Sequence, residues 1–232
     1  MNYDNTHVHF CIPCYAGQLC EATFVSFVKF SLLARERNLN WSLDTMVNES
    51  LITRGRNNLM AKMLTNKLAT HLMFIDSDIR FEADSIFKLL DADKDLIGGL
   101  YPVKGYPIRY VVNGMPEPVV EGDVEEVRHL GTGFMMIKRH VFETMIAKWP
   151  EKKFRDSIGV GKKYEPYMYA LFETCLDSNG DYMSEDWYFC DKWRELGGKV
   201  YAHKGILLSH TGFHEFRGNL SALGGNNVNR ET

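Results

Sequence analysis

Apolar positions along the chain fall into two spacings. Alternating or continuous runs at 7–12 (HVHFCI), 41–47 (WSLDTMV), 70–75 (THLMFI) and 95–100 (DLIGGL) predict strands, and the stretches between them are apolar at helical intervals. The predicted helices cover 19–35, with Leu19, Ala22, Val25, Val28 and Leu32 on one face; about 56–68; and 83–91, with Ile86, Phe87, Leu89 and Leu90. Strands alternating with helices predict an α/β fold with a mostly parallel central sheet flanked by helices. Such a sheet binds ligands just beyond the carboxyl ends of its strands.

After about residue 100 the rhythm changes to "YPVKGYP", an expected hairpin around Asn113-Gly114, and a strand-like "GFMMIKR" at 133–139. This predicts an added α+β half. The segment 150–167 carries five lysines or arginines and two glycines without periodicity, which predicts a mobile surface loop. A helix is expected at about 184–196, with Ser184 as N-cap and Glu185 and Asp186 in the first turn, where the helix dipole favours negative charge. The expected organisation is one domain over 1–214, its halves meeting near residue 100 (about 1–100 and 101–214), and a C-terminal tail over 215–232, Gly- and Asn-rich from Gly218 and weakly ordered.

Composition narrows the functional classes. The 232 residues, 45% hydrophobic, are enough for an ample core, and 27 basic and 30 acidic residues are mixed along the chain to a net charge of −3. That distribution leaves no basic stripe for nucleic acid. No segment approaches the roughly 20 apolar residues of a membrane span, and the amino terminus has no leader pattern. A soluble, cytoplasmic protein is expected. Five cysteines are an odd, thinly spread set, which predicts reduced thiols rather than a disulfide framework.

The sharpest candidate chemistry is in "HLMFIDSDIRF", where an apolar strand runs into Asp76-Ser77-Asp78. Two carboxylates two residues apart at a strand's carboxyl end repel unless a cation lies beside them, which suits a hard divalent ion that also holds phosphate oxygens. A solvated turn with a helix-capping Asp is the plainer alternative. In "MSEDWYFCDKW", Glu185 and Asp186 open an aromatic-rich helix, where a carboxylate can act as a general base or merely offset the helix dipole. Trp187 and Tyr188 offer either a platform for a sugar ring or core packing. In "ILLSHTGF", His210 closes an apolar strand, placed either to complete a metal shell or to serve as a structural hydrogen-bonding residue.

Taken in order, "FIDSDIRF", "HLGTGFMMIKR", "SEDWYFCDKW" and "LLSHTG" resemble the motifs of nucleotide-sugar-dependent glycosyltransferases of the GT-A class, especially the small stand-alone ones that large DNA viruses and phages carry. The likeness spans about residues 7–214 and implies a GT-A fold, Rossmann-like with an acceptor-side half. It implies a hexosyltransferase that moves a sugar from a nucleoside-diphosphate sugar, UDP-sugar favoured, to a hydroxyl of a glycan or glycoconjugate acceptor, with Mn²⁺ or Mg²⁺. Asp76 and Asp78 are then the DxD carboxylates, Asp78 on the metal and Asp76 on the ribose or metal, and His210 is a further metal ligand. Asp186, beside Glu185, matches the base of inverting members, although such an acidic pair also occurs in retaining ones. Pro13 and Tyr15 in "IPCYAG" match the loop that receives the base, and Arg54, Arg56 and Asn57 lie near where the nucleoside is held. Ser77, Lys104 and Gly133 complete the expected donor contacts. If the source is a virus, the compartment is the host cytoplasm.

The chemistry fits these residue types independently of the resemblance. Breaking the sugar–diphosphate bond builds negative charge on the leaving group, which a divalent ion stabilises, and a carboxylate on the opposite face takes the acceptor proton. Three other readings compete. A sugar nucleotidyltransferase also pairs carboxylates with metal but normally carries a basic, glycine-rich first loop, and "IPCYAGQLCEATF" contains no lysine or arginine. A non-catalytic nucleotide- or glycan-binding module is the second. The third is a zinc or redox site in "HVHFCIPCYAG", but strand geometry puts His7, His9 and Cys11 on one face and Cys14 beyond Pro13, so they do not converge on one tetrahedral ion.

Overall fold

The computed structural model describes residues 3–212 and 214–217. The first half comprises β1 (His7–Cys14), α1 (Glu21–Glu36), β2 (Asn40–Val47), α2 (Ile52–Thr65), β3 (His71–Ile75), β4 (Ile79–Phe81), α3 (Ser85–Asp91) and β5 (Leu96–Gly99). The second comprises β6 (Val112–Gly114), β7 (Val120–Glu121), β8 (Val124–Leu130), β9 (Phe134–Lys138), α4 (Arg139–Lys148), β10 (Cys175–Leu176), β11 (Tyr182–Met183), α5 (Glu185–Glu195), β12 (Val200–His203), β13 (Leu208–Thr211) and β14 (Glu215–Arg217). The main sheet runs β2-β1-β3-β9-β5-β12-β8-β6, with β7 paired to β8. β1 is parallel to β2 and β3, and β12 is parallel to β5, while β9 lies antiparallel between β3 and β5 and β8 antiparallel between β12 and β6. The fold is thus α/β, its central sheet mostly parallel and flanked by helices.

Two apolar cores sit on opposite faces. One packs Val8, Phe10 and Ile12 of β1 against Phe27 and Phe30 of α1 and Phe87 of α3; the other packs Cys11, Phe74 and Met135 against α2, α4 and α5. The expected buried face of α1 is corrected here: Thr23, Ser26, Phe27, Phe30 and Ala34 are buried, whereas Val28 and Leu32 face outward. Two apolar stripes overlap on this helix, and the aromatic one makes the contacts, edge-on to Phe10 and Phe81. α2 begins a turn earlier than its apolar spacing suggested. The Glu49 carboxylate takes the Leu51 N–H at 2.9 Å and pairs with Arg54 at 2.6 Å, fixing the chain where the helix starts.

Four further expectations change. Asn113 and Gly114 lie within β6, and the tight turn falls instead between β7 and β8 at Gly122, whose φ of 62° suits glycine. β8 was hidden by Glu125 and Glu126, which read as polar yet are buried: Lys204 pairs with Glu125 at 2.8 Å, and Arg194 and Lys199 hold Glu126 at 3.2 and 3.0 Å. The segment 150–167 is organised rather than loose: Asp156 accepts the backbone N–H groups of Ile158, Gly159 and Gly161, and a 3₁₀ helix, Lys162–Tyr167, packs on α2. The first residues of the expected tail form β14 against β13; the remainder from Gly218 lies outside the described residues.

β1 is the strand that its alternation predicts. His7 and His9 both contact the Ser42 hydroxyl at 2.8 Å, and Cys11 is buried with its thiol donating to the Leu59 carbonyl. Among the described residues no three His, Cys, Asp or Glu side chains are arranged to hold a metal ion, and no helix is long and apolar enough to cross a membrane.

Asn57 was expected beside a nucleoside, but it lies buried in α2. Its amide oxygen accepts the N–H groups of Leu171 and Phe172 at 2.9 Å, and its amide nitrogen donates to the Phe172 carbonyl at 2.9 Å. One side chain thus ties the 169–172 strand-like segment to the helix that carries Arg56. Asn57→Ala is expected to lower unfolding stability by about 3 kcal/mol, the order that buried backbone groups lose with their partners, read by urea denaturation.

Candidate functional site

The carboxyl ends of β3 and β5, the start of β9, the amino end of α5 and the end of β13 converge at one edge of the sheet. Each supplies a polar side chain, except the start of β9, which supplies the backbone of Gly133, because the strand or helix behind it is locked into a core. The arrangement divides into two linked clusters.

The inner cluster is built on Arg56. Its guanidinium is buried, donates through Nη2 to Asp76 Oδ1 at 3.0 Å and through Nε to Glu185 Oε1 at 3.1 Å, and lies 5.2 Å from the Phe74 ring centre. Burial works against its charge, but the two carboxylates hold its pKa above the ordinary value. Arg56 Nη1 is buried and without a partner among the described residues. The Asp76 N–H donates to the Gly133 carbonyl at 2.9 Å, and a Cβ added at Gly133 would stand 2.7 Å from the Tyr101 ring and 3.0 Å from Asp76 Oδ2, so only glycine lets the three approach. Tyr101 itself is buried; its hydroxyl accepts the Gly133 N–H at 3.1 Å, and burial, then Asp76 and Asp186, push its pKa far up.

Asp186 stands beside this cluster. The Ser184 hydroxyl donates to Asp186 Oδ1 instead of capping the helix backbone, and the Trp187 N–H donates to the same oxygen at 2.9 Å. Oδ2 therefore remains unpartnered among the described residues. Burial, then the neighbouring Glu185 charge, raise the Asp186 pKa above the usual carboxylate value, against those two hydrogen bonds. Trp187 is half-buried and stacks on His129 at 4.9 Å, whereas Tyr188 is buried.

The outer cluster is built on Asp78. Lys104 pairs with Oδ2, and His210 Nε2 lies 3.4 Å from Oδ1; despite burial these two partners hold the Asp78 pKa below its ordinary value. His210 Nδ1 lies 2.9 Å from the Pro102 carbonyl, which can only accept, so Nδ1 carries a proton. Protonated on both nitrogens, the ring pairs with Asp78 as a cation; with Nε2 bare, carboxylate and imidazole lone pair face each other as two ligands of one cation would. The Tyr101 ring meets His210 edge-on at 5.3 Å and joins the two clusters. A cleft of about 740 Å³ opens onto the outer one, lined by Tyr15, Ser77, Asp78, Lys104, Thr211 and Phe216 among others.

Of the expected site residues, Asp76, Arg56, Gly133, Glu185 and Asp186 are brought together in the inner cluster, and Tyr15, Ser77, Asp78, Lys104 and His210 around the cleft. Three expectations are corrected. Asp76 does not join Asp78 and His210 in a three-ligand set, because its Oδ1 is engaged by Arg56. Arg54 is spent on Glu49, and Asn57 on backbone. Pro13 is a half-buried strand residue opposite Met46. Tyr101 was missed, although an aromatic residue two positions after a strand's end, in "GGLYP", is a usable signal. Phe216, on the far wall of the cleft, offered none.

No protein-family model matches the chain, and no curated protein matches it. Among solved structures, A197 from STIV is similar over 89% of this chain and 86% of its own, at 18% identity and a TM-score of 0.51. Weaker likenesses include a glycosyltransferase involved in the glycosylation of the major capsid of PBCV-1, at 10% identity over 68% of this chain and 72% of that one with a TM-score of 0.35. Another is 4-diphosphocytidyl-2C-methyl-D-erythritol synthase from Anaerococcus prevotii, at 8% identity over 71% and 84% with a TM-score of 0.37. The first of these establishes a shared fold, not a shared chemistry.

The charge arrangement has a direct consequence. A carboxyl whose folded pKa is raised contributes stability below its unfolded value and loses it as pH rises through the folded value. Asp186→Asn removes that buried charge and is expected to raise the melting temperature at neutral pH, by about 2–4 °C for each kcal/mol gained. Carboxyl-carbon NMR should show Asp186 titrating above ordinary aspartate, and Glu185→Gln should move it down; an unmoved titration would sink the assigned coupling.

Proposed function

We propose that the chain is a glycosyltransferase that moves a hexose from a nucleoside-diphosphate sugar, UDP-sugar favoured, to a hydroxyl of a glycan or glycoconjugate acceptor. The observation that carries this reading is the presence, both close to Tyr101, of a carboxylate with a free oxygen, Asp186 Oδ2, and of a carboxylate–imidazole pair, Asp78 and His210. Leaving-group charge and acceptor proton need opposite assistance, and the two clusters supply the two kinds. The ordered DxD, Glu-Asp and late-histidine motifs support the same assignment.

In this reading Asp78 Oδ1 and His210 Nε2 would hold Mn²⁺ or Mg²⁺, with the other positions filled by diphosphate oxygens and water. The fit rests on the pinned His210 tautomer. The chemistry such an ion supplies is charge stabilisation of the departing diphosphate. Lys104 and Ser77 face the same phosphates, and Tyr15 lines the cleft where the base rests. Asp186 takes the acceptor proton on Oδ2; its raised pKa makes it a stronger base than a solvated carboxylate, and a single carboxylate acting on the acceptor is the one-step, inverting route. Glu185 does not share this role, because Arg56 holds it; it positions and tunes Asp186. Arg56 fixes Asp76, which is thereby directed to the ribose or sugar rather than the metal.

Sugar nucleotidyltransferases, which fit the same fold, often carry a basic, glycine-rich first loop, and residues 15–20 contain no lysine or arginine. The product separates the two reactions. A screen of nucleotide sugars with Mn²⁺ is expected to release nucleoside diphosphate with one donor, whereas release of inorganic pyrophosphate from a nucleoside triphosphate and a sugar phosphate would overturn the assignment. Asp186→Asn should lower transfer by about a hundredfold or more while donor binding, read by calorimetry, persists; an active Asn variant would show that another group is the base.

A further inference from the structure

We propose that Lys104 makes metal binding at Asp78 and His210 conditional on the arrival of a diphosphate, by occupying the Asp78 carboxylate until an anionic ligand draws it away. This rests on the nucleotide-sugar reading above and specifies how that site is loaded. Both Asp78 oxygens are engaged without any ligand, Oδ2 by the Lys104 ammonium and Oδ1 by the His210 ring at 3.4 Å. Of the other carboxylates of the site, Asp76 and Glu185 are each held on one oxygen by the buried Arg56 guanidinium. A divalent ion entering alone must therefore displace an ammonium from its carboxylate and leave it close by, with two cations competing for one anion.

The route out for Lys104 is toward the cleft. Its side chain lines that cleft together with Ser77, Asp78 and Thr211, and its stem lies along Gly212, where an added Cβ would come within 3.2 Å of Lys104 Cδ. The ammonium is partly exposed and, among the described residues, Asp78 is its one ion-pair partner. A diphosphate in the cleft offers it oxygens of greater charge than a single carboxylate, and the move leaves the Asp78 carboxylate to the metal with no ammonium competing for it. Metal and diphosphate then enter together with nearly cancelling charge, while either alone leaves the cluster unbalanced. The same lysine ends on the leaving group, where it assists departure.

Mn²⁺ binding read by the electron paramagnetic resonance of free Mn²⁺ tests this without turnover. Wild type is expected to bind Mn²⁺ weakly alone and about tenfold more tightly with UDP, after correction for Mn²⁺–UDP in a protein-free titration; Lys104→Met should bind Mn²⁺ alone about tenfold more tightly than wild type and respond little to UDP. Lys104→Arg, which keeps the charge, should behave as wild type, and thermal unfolding verifies that each variant folds. Equal Mn²⁺ affinity of wild type and Lys104→Met without nucleotide would overturn the gating and leave the proposed reaction standing. Absence of Mn²⁺ binding in both proteins, with or without UDP, GDP, CDP or ADP, would overturn both.

Discussion

A guanidinium withdrawn from water must be neutralised where it stands, and the site is arranged around that requirement. Arg56 reaches its position because α2 is bolted to the sheet through Leu59, Met60 and Met63 and to the 169–172 segment through Asn57. Once buried, it needs two carboxylates, and it takes one from the end of β3 and one from the first turn of α5. Residues separated by more than a hundred positions in the chain are thus held at hydrogen-bond distance by the cost of leaving a buried charge unpaired. This ion triad sets which acids are committed and which are free. Asp76 and Glu185 are committed to Arg56; Asp78 is left to Lys104 and His210, and Asp186 keeps one oxygen without a partner among the described residues.

The parts of this site that could be read in the sequence are those whose position follows from a strand's end. Asp76 and Asp78 close an apolar strand, His210 closes another, and Asp186 opens a helix, so period and punctuation put all four at one edge of the sheet. Glu185 and Asp186, adjacent in the chain, have different fates because a helix turns successive side chains by about 100°, so one meets Arg56 and the other does not. The periodicity does not tell which, since both are acidic and both lie in the first turn. Tyr101, Asn57 and Lys104 owe their roles to contacts across the fold, and nothing near them in the chain signals those partners.

The same division holds for the fold. Strands flanked by helices were legible, but β8 was not, because buried Glu125 and Glu126 look like surface residues until Lys204, Arg194 and Lys199 are seen against them. The face of α1 was misjudged for a related reason: apolar spacing counts residues, whereas burial follows the area that each can pack, and Phe27 and Phe30 outweigh Val28 and Leu32. The His and Cys residues of β1 illustrate the converse. Their chemistry suggested ligands, yet the strand's alternation had already dispersed them, and a single serine hydroxyl on β2 meets one ring nitrogen of each histidine.

The antiparallel insertion of β9 between β3 and β5 also governs the order in which the protein can assemble on the ribosome. When residues up to Gly99 have emerged, β3 and β5 are complete but share no hydrogen bonds, because the strand that joins them is still to be made. The amino-terminal half therefore presents one open edge on β3 and both edges of β5, and Asp76 waits for the Gly133 carbonyl that will fix it. β12 and β13 come later still. The nascent chain carries Asp76 and Asp78 early but receives Glu185, Asp186 and His210 only near the end of synthesis, which makes this a fold that closes late, with strand edges open during translation.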